Sequence, residues 1–396
     1  MKSNLSKSRW NNAGLGAAFL MATSAIGPGF LTQTTVFTQQ LLSSFGFVIF
    51  ITILLDIGAQ MNIWRILVVS EKRAQDLSNQ LVPGLGYFLA ILIVLGGLAF
   101  NIGNIGGAGL GLNVVSGMDV TSGAILSCVF SLLVFWLKDA GKAIDTISKL
   151  LGGLMILLTL YVAFSSHPPI RDAVQHTLLP ATISTNAIIT IVGGTVGGYI
   201  SFAGAHRLLD AGVTGPQNIE AVTRSSVTGI IITAFMRVAL FIAALGVITG
   251  GAIIDPANPP ASVFSAAAGQ LGYRFFGVVM WCASITSVIG SAYTSVSFLR
   301  SFHPWIEKNY RLLISIFIVF STLVFISIGK PVKVLVTVGA LNGLILPIAL
   351  SVILIAVTKK RLVHNYKHPL WMSIAGWLVV IIMAWLGFKT IVEMFG

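Results

Sequence analysis

Residues 25–30 read Ala-Ile-Gly-Pro-Gly-Phe inside an apolar stretch long enough to cross a bilayer, and an α-helix does not continue undisturbed through Gly27-Pro28-Gly29. In hydrocarbon every backbone N–H and C=O must find a partner, so unwound chain at that depth survives only where protein buries it or a cavity adjoins it. A second interruption, Gly193-Gly194-Thr195-Val196-Gly197-Gly198, falls within a later apolar stretch. Paired interruptions at corresponding places in two halves of a chain point to a binding site near the bilayer midplane.

The chain around these breaks is 56% hydrophobic and 9% charged over 396 residues, against roughly a quarter charged in soluble domains. It reads as an all-α polytopic membrane protein. Apolar runs of the roughly 20 residues that a span needs occur near 13–40, 45–70, 84–113, 121–137, 149–165, 183–206, 226–250, 271–298, 312–329, 333–357 and 369–389, eleven in all. The longest connections, near 165–182, 207–225 and 251–270, leave no room for a soluble domain, so residues 1–396 are expected to form one transmembrane domain. The first run opens with Lys2, Lys7 and Arg9 and lacks a small-residue cleavage site, which reads as an uncleaved helix rather than a signal peptide.

The net charge of +12 is spread through short loops instead of forming a patch or arm, so no nucleic-acid partner is expected. The basic residues report orientation instead. Eighteen fall on one side of the eleven spans, among them Arg65, Lys72, Arg73, Arg207, Arg224, Arg300, Lys359, Lys360 and Arg361, against Arg171, Arg274, Lys330, Lys333 and Lys389 on the other. That bias puts the N-terminus in the cytoplasm and the C-terminus outside a plasma membrane.

The breaks lie in the first and sixth spans. The first ten spans therefore divide into five and five, about 13–165 and 183–357, with an extra helix at about 369–389. An odd number of helices per half inverts the second half relative to the first. Gly27, Pro28, Gly29 and Phe30 would leave backbone amides at a positive helix end, which favours an anion. Thr195, Gly197 and Gly198 belong to the matching break, Tyr199 just beyond it could cap or stack on a ligand, and Asn342 of the tenth span is a weaker candidate for the same site. Either break also has a plain structural reading, a proline kink or close packing of small residues.

Among the remaining polar residues in spans, Asp56 and Arg237 are the deepest ionisable groups, and burying them is costly enough to suggest an ion path or a mutual pair. Gln60, Asn101, Asn104 and His206 join them as candidates for ion coupling, and Asp210 lies just beyond His206 as a cap or relay. Gly103, Gly107 and Gly111 make one smooth ridge for helix packing. Cys128 and Cys282 have no CxxC or histidine neighbour and read as free thiols; zinc spacings, nucleotide loops and nucleophile elbows are missing from the sequence. No cofactor is expected apart from a coupling H+ or Na+, and neither a membrane enzyme nor a receptor with an output domain fits.

Three segments resemble the NRAMP family of divalent-metal transporters. Residues 60–77, QMNIWRILVVSEKRAQDL, resemble the end of its second helix and the loop after it; residues 101–117, NIGNIGGAGLGLNVVSG, its third helix; residues 342–362, NGLILPIALSVILIAVTKKRL, its tenth helix and basic loop. The resemblance implies a LeuT-type 5+5 inverted repeat, alternating access around broken helices 1 and 6, and a manganese- or iron-type divalent cation as cargo. The chemistry departs from that pattern. Where the family has Asp-Pro-Gly-Asn this chain has Gly27-Pro28-Gly29-Phe30, Gly197 stands at the methionine position, Asn101 and Asn104 replace an acidic pair, and Gly204 aligns with a histidine. Metal ligands are thus missing, since transition metals need soft or deprotonated donors and hard dications an oxygen cage. Residue chemistry alone favours a small organic anion, such as an amino acid or carboxylate derivative, while the resemblance favours a metal ion.

Overall fold

The computed structural model describes residues 18, 21, 22 and 25–395, with the side chains of 138–149, 151 and 393–395 left out of the description. Lys2, Lys7, Arg9 and the opening of the first expected span lie outside the described residues. Helices are α1 (Pro28–Leu41), α2 (Phe45–Ser70), α3 (Ala74–Leu81), α4 (Leu85–Ser116), α5 (Val120–Trp136), α6 (Lys138–Ser165), α7 (Ile170–Leu178) and α8 (Thr185–Thr195). They continue with α9 (Ile200–Asp210), α10 (Ile219–Thr249), α11 (Pro259–Ser297), α12 (Pro304–Lys308), α13 (Tyr310–Ile328), α14 (Pro331–Thr358) and α15 (Leu370–Phe395). Helix caps arise from local chemistry: Asp119 accepts from the amides of Thr121 and Ser122 at the start of α5, and Ser184 from that of Ala187 at the start of α8.

Among the described residues, eight helical stretches are long and apolar enough to cross a membrane, nine if Gly152–Ser165 and Ile170–Leu178, bent by 105°, are one broken span. The lower count has a physical origin. A short 3₁₀ turn joins α1 to α2 into one 43-residue stretch, and the apolar α5 is only 17 residues long. With those joints separated, an apolar helix stands at each of the eleven expected positions.

Two expected connections are shorter than the sequence suggested. Residue 219 already begins α10, and α11 begins at Pro259 instead of near 271. Gly269, at φ 61°, breaks α11 just before the expected start, so Pro259 to Ala268 is a separate segment ahead of the span. Between 165 and 182 the chain forms α7.

Inside the bundle, α4 lies along α11 and α14 along α8. The glycine ridge of α4 makes this possible: Gly107 receives Pro28 of the first break, Gly111 the backbone of Trp281, and Gly103 the side chain of Leu335. Gly193 of α8 faces the backbone of Gly339 and Gly343 across the α8–α14 seam. Small residues bring the helix backbones together where lipid supplies no hydrophobic drive for association. Large apolar side chains such as Phe164, Leu271, Trp371 and Trp385 stay exposed on the outside, as a lipid-facing surface requires. Cys128 and Cys282 are free thiols.

Candidate functional site

Both breaks are present. At the first, Ile26 N–H donates to Ala22 O at 2.7 Å and Gly27 N–H to Ala25 O at 2.9 Å, after which Gly27 turns to extended backbone (φ −107°, ψ −171°). Pro28 then opens α1. Having no side chain, Gly27 cannot cap the helix, so the first-turn amides of Gly29 and Phe30 have no acceptor within α1. At the second, α8 stops at Thr195, and the amides of Val196 and Gly197 share the carbonyl of Val192 (2.9 and 3.1 Å). Gly198 takes φ 51°, and α9 starts at Ile200.

Arg237 of α10 joins the two. Its Nη2 donates to Thr195 Oγ1 at 2.9 Å, while the threonine O–H donates to Ile191 O at 2.8 Å. The same guanidinium lies over the ring of Phe30, 4.1 Å from the centroid, a cation–π contact that favours retaining the charge. Arg237 is 3% exposed, and its Nη1 has no partner. The charge acting on it comes from Asp56 of α2, likewise 3% exposed, which forms no ion pair within 4.0 Å and whose Oδ1 is also without a partner. A buried arginine normally uses several of its five donors; one here is matched by a side-chain acceptor.

Further unpartnered atoms surround the breaks. Gln33, one turn beyond Gly29, donates from Nε2 to Leu335 O at 2.7 Å, and its Oε1 packs unpaired against Gly194. Neither amide atom of Asn101 has a partner, nor does Nδ2 of Asn104. Asn104 stands beside Gly27: a Cβ built on that glycine would lie 3.5 Å from Asn104 Oδ1 and 3.0 Å from Ser287 Oγ. Tyr199, fully buried with its ring edge on Phe100, turns its hydroxyl toward Asn104 and Ser291 without a hydrogen bond of acceptable geometry.

Other expected residues serve as ties. Gln60 Nε2 donates to Ser226 O at 2.9 Å, linking α2 to α10. Asn342 Nδ2 donates to Gly96 O and Val338 O at 3.0 Å, and its Oδ1 fills the space where Gly198 has no side chain. His206 is engaged through Nδ1 with Ser297 Oγ at 3.0 Å; that hydroxyl donates to Thr294 O, so the imidazole Nδ1–H is the donor and Nε2 is left unpartnered.

At the basic end, Asp210 closes α9 between Arg73 Nη2 (2.6 Å) and the hydroxyl of Tyr293 (2.8 Å), and Arg73 also donates to Ser297 O at 2.9 Å. Nearby, Arg300 donates to Glu307 at 2.6 Å, and that bond holds the Glu307 carboxyl below its usual range. Gln33 and Tyr293 have no part in the sequence reading, and Arg73 enters it as a charge that reports orientation. Gln33 had a signal, a polar side chain one turn past a break; Arg73 lay within the loop quoted for the family resemblance.

Among the described residues no group of three or more His, Cys, Asp or Glu side chains could hold a metal ion.

Two helices broken at facing points, bridged by a buried guanidinium inside an apolar bundle, define a membrane transporter of the broken-helix class. The family model described as natural resistance-associated macrophage protein-like, Nramp, matches residues 18–393, and the chain belongs to that family of transporters. It is 61% identical to the uncharacterized membrane protein YcsG of Bacillus subtilis over 377 residues, covering 95% of this chain and 93% of that one. In fold it is similar to a manganese transporter of Eremococcus coleocola solved with an aromatic bis-isothiourea compound (TM-score 0.73, 19% identity, 98% of this chain and 87% of the other). It is also similar to MhsT in complex with L-phenylalanine (TM-score 0.65, 13% identity, 96% and 97%), a LeuT-like inverted-repeat fold.

Proposed function

We propose that this Nramp-family protein is an ion-coupled secondary transporter of a small organic anion bearing a carboxylate, working by alternating access around the two breaks. The observation that carries this reading is Arg237, a buried cation with a free donor edge that touches both breaks through Thr195 and Phe30. A dication roughly 5 Å from that guanidinium meets repulsion of about 7 kcal/mol at an effective dielectric of 20, and one carboxylate at a similar distance does no more than cancel it. Nothing then offsets stripping water from a hard ion. A carboxylate reverses the sign: it accepts from Nη1 and from the bare amides of Gly29 and Phe30 at the start of α1. The basic-residue bias supports a cytoplasmic N-terminus and an external C-terminus.

Divalent-cation transport, the cargo named for the manganese transporter of similar fold, is the second reading. Purified protein screened by thermal shift against manganese chloride and against formate, acetate, L-lactate, succinate and L-glutamate separates the two, because a ligand that binds only the folded state raises the melting temperature by mass action. The expected result is a saturable carboxylate shift that Arg237→Gln abolishes. Saturable manganese binding that survives Arg237→Gln would overturn it.

A further inference from the structure

Asp56 lies on α2, which packs against the α10 that carries Arg237, and among the described residues it takes part in no bond of the site. No hydrogen bond joins it to the described residues, its Oδ1 is unpartnered, and it is 3% exposed. The titratable groups on the helices packed against α2 include Arg237 and Glu220 of α10, His206 of α9, His176 of α7, Lys333 of α14 and Lys389 of α15. Of these, Arg237 is the one whose charge favours the ionised form of Asp56. One buried cation therefore serves one buried anion, beyond ion-pair distance, with donor capacity left over.

On the reading of the site as a carboxylate site, we propose that Asp56 is the proton-coupling residue and that one proton enters with each substrate anion. With Arg237 and an ionised Asp56 the pocket is neutral. When a carboxylate takes the free edge of the guanidinium, two buried negative charges share one positive charge, and Asp56, with its Oδ1 unpartnered, is the less supported of the two. A proton from the solution then adds to an Asp56 carboxylate oxygen, restoring neutrality; when the anion leaves, Arg237 again stabilises the ionised form and the proton departs. Substrate and proton are thereby linked through the one guanidinium they compete for. The neutral Asn101 and Asn104 cannot carry that proton.

The linkage has a fixed sign. Where proton uptake accompanies binding of an anion that stays ionised, affinity falls about tenfold for each unit of rising pH once free Asp56 is ionised. The test uses full-length protein with formate, acetate, L-lactate, succinate and L-glutamate as probes, recording thermal shift against pH and proton uptake by indicator dye in weak buffer. Wild type should take up one proton per anion bound. Asp56→Asn should still bind, with uptake abolished and the pH dependence flattened, and Asp56→Glu should restore both. Should Asp56→Asn fail to fold, the infrared carboxylic-acid band that appears in wild type on adding the anion is the measurement, and a spectrum without that band overturns the proposal. Anion binding without proton uptake, or with uptake unchanged in Asp56→Asn, overturns the coupling role and leaves the carboxylate site standing. Absence of any carboxylate shift in wild type overturns the carboxylate site and this inference with it.

Discussion

The two breaks look alike as sequence, each a glycine cluster in an apolar run, yet the space around their glycines differs in the folded chain. Around the first, a Cβ on Gly29 would meet nothing nearer than Gln33 Nε2 at 3.6 Å, although α1 is largely buried, with Pro28 seated on Gly107 and Gln33 bonded to Leu335 O. Around the second, Gly193, Gly197 and Gly198 are pressed against the backbone of α14 and the side chain of Asn342, and the far end of α9 is pinned by Asp210 to Arg73 and Tyr293. A helix opened at a loose joint exposes amides that a substrate can reach. A helix opened at a clamped joint instead fixes the residues beside the opening, here Thr195 and its bond to Arg237. On the proposed reading the first break is the access side of the site and the second its fixed wall.

The largest effect should come from unclamping the wall. Gly198 sits at φ 51°, and a Cβ there would overlap Asn342 Oδ1. Gly198→Ala combines left-handed strain with a steric clash and should cost about 3 kcal/mol or more, read as a large fall in melting temperature or loss of monodisperse protein. If Gly198→Ala melts like wild type, the second break is no clamp.

Next in size is the pin at the far end of α9. Arg73 and Asp210 are 16% and 24% exposed at the side chain, so their bond is only partly screened, and Arg73→Ala also removes the donor to Ser297 O. About 1–2 kcal/mol of stability should be lost. A Ser297→Cys reporter, buried in wild type, should label faster with a thiol reagent in the Arg73→Ala background. Equal labelling rates would mean that the contact does not hold the basic end closed.

A milder effect tests a joint that touches neither break. Asn62 Nδ2 donates to Gly58 O and Met372 O, so its Oδ1 must accept from His368 Nε2, at 2.7 Å. His368 Nδ1 is unpartnered, and burial together with the nearby charge of Arg65 pushes the imidazole pKa down to about 4. Between that value and the ordinary histidine range near 6.5 the unfolded chain binds the extra proton and the folded one does not. Stability is therefore full above that range and declines as pH falls toward 4. His368→Gln should flatten the acid limb of melting temperature against pH; an unchanged limb would assign the loss to other groups.

Much of the fold was legible because lipid makes its demands locally. An apolar run must be helical, and a Gly-Pro-Gly inside it must break, whatever lies nearby. The start of α11 was missed because Gly269 hides a join between two helical pieces, and α7 because a nine-residue helix with polar and charged residues does not register as a span. Asp56 and Arg237 were visible as ionisable groups at depth. Sequence alone could not show that Arg237 reaches Thr195, 42 positions earlier, or that its guanidinium covers Phe30. On the proposed reading that contact puts Arg237 on the substrate side and leaves Asp56 as the coupling candidate.

The smallest effect on stability should come from the loose joint, and it separates access from packing most cleanly. Gly29 is the second residue of α1, where alanine is favoured over glycine by up to about 1 kcal/mol. The added methyl meets only ordinary contacts, with Gln33 Nε2 at 3.6 Å and Leu335 at 3.8 Å. Gly29→Ala should therefore melt within about 1 kcal/mol of wild type, or slightly above it. Its methyl nevertheless stands beside the bare first-turn amides that a carboxylate would use. The carboxylate-induced thermal shift should shrink in Gly29→Ala and shrink further in Gly29→Val, while the melting temperature of the ligand-free protein changes little. A packing role predicts the reverse, a lower ligand-free melting temperature with the carboxylate shift intact. That outcome would remove the first break from the site and leave Arg237 to hold the anion from the clamped wall alone.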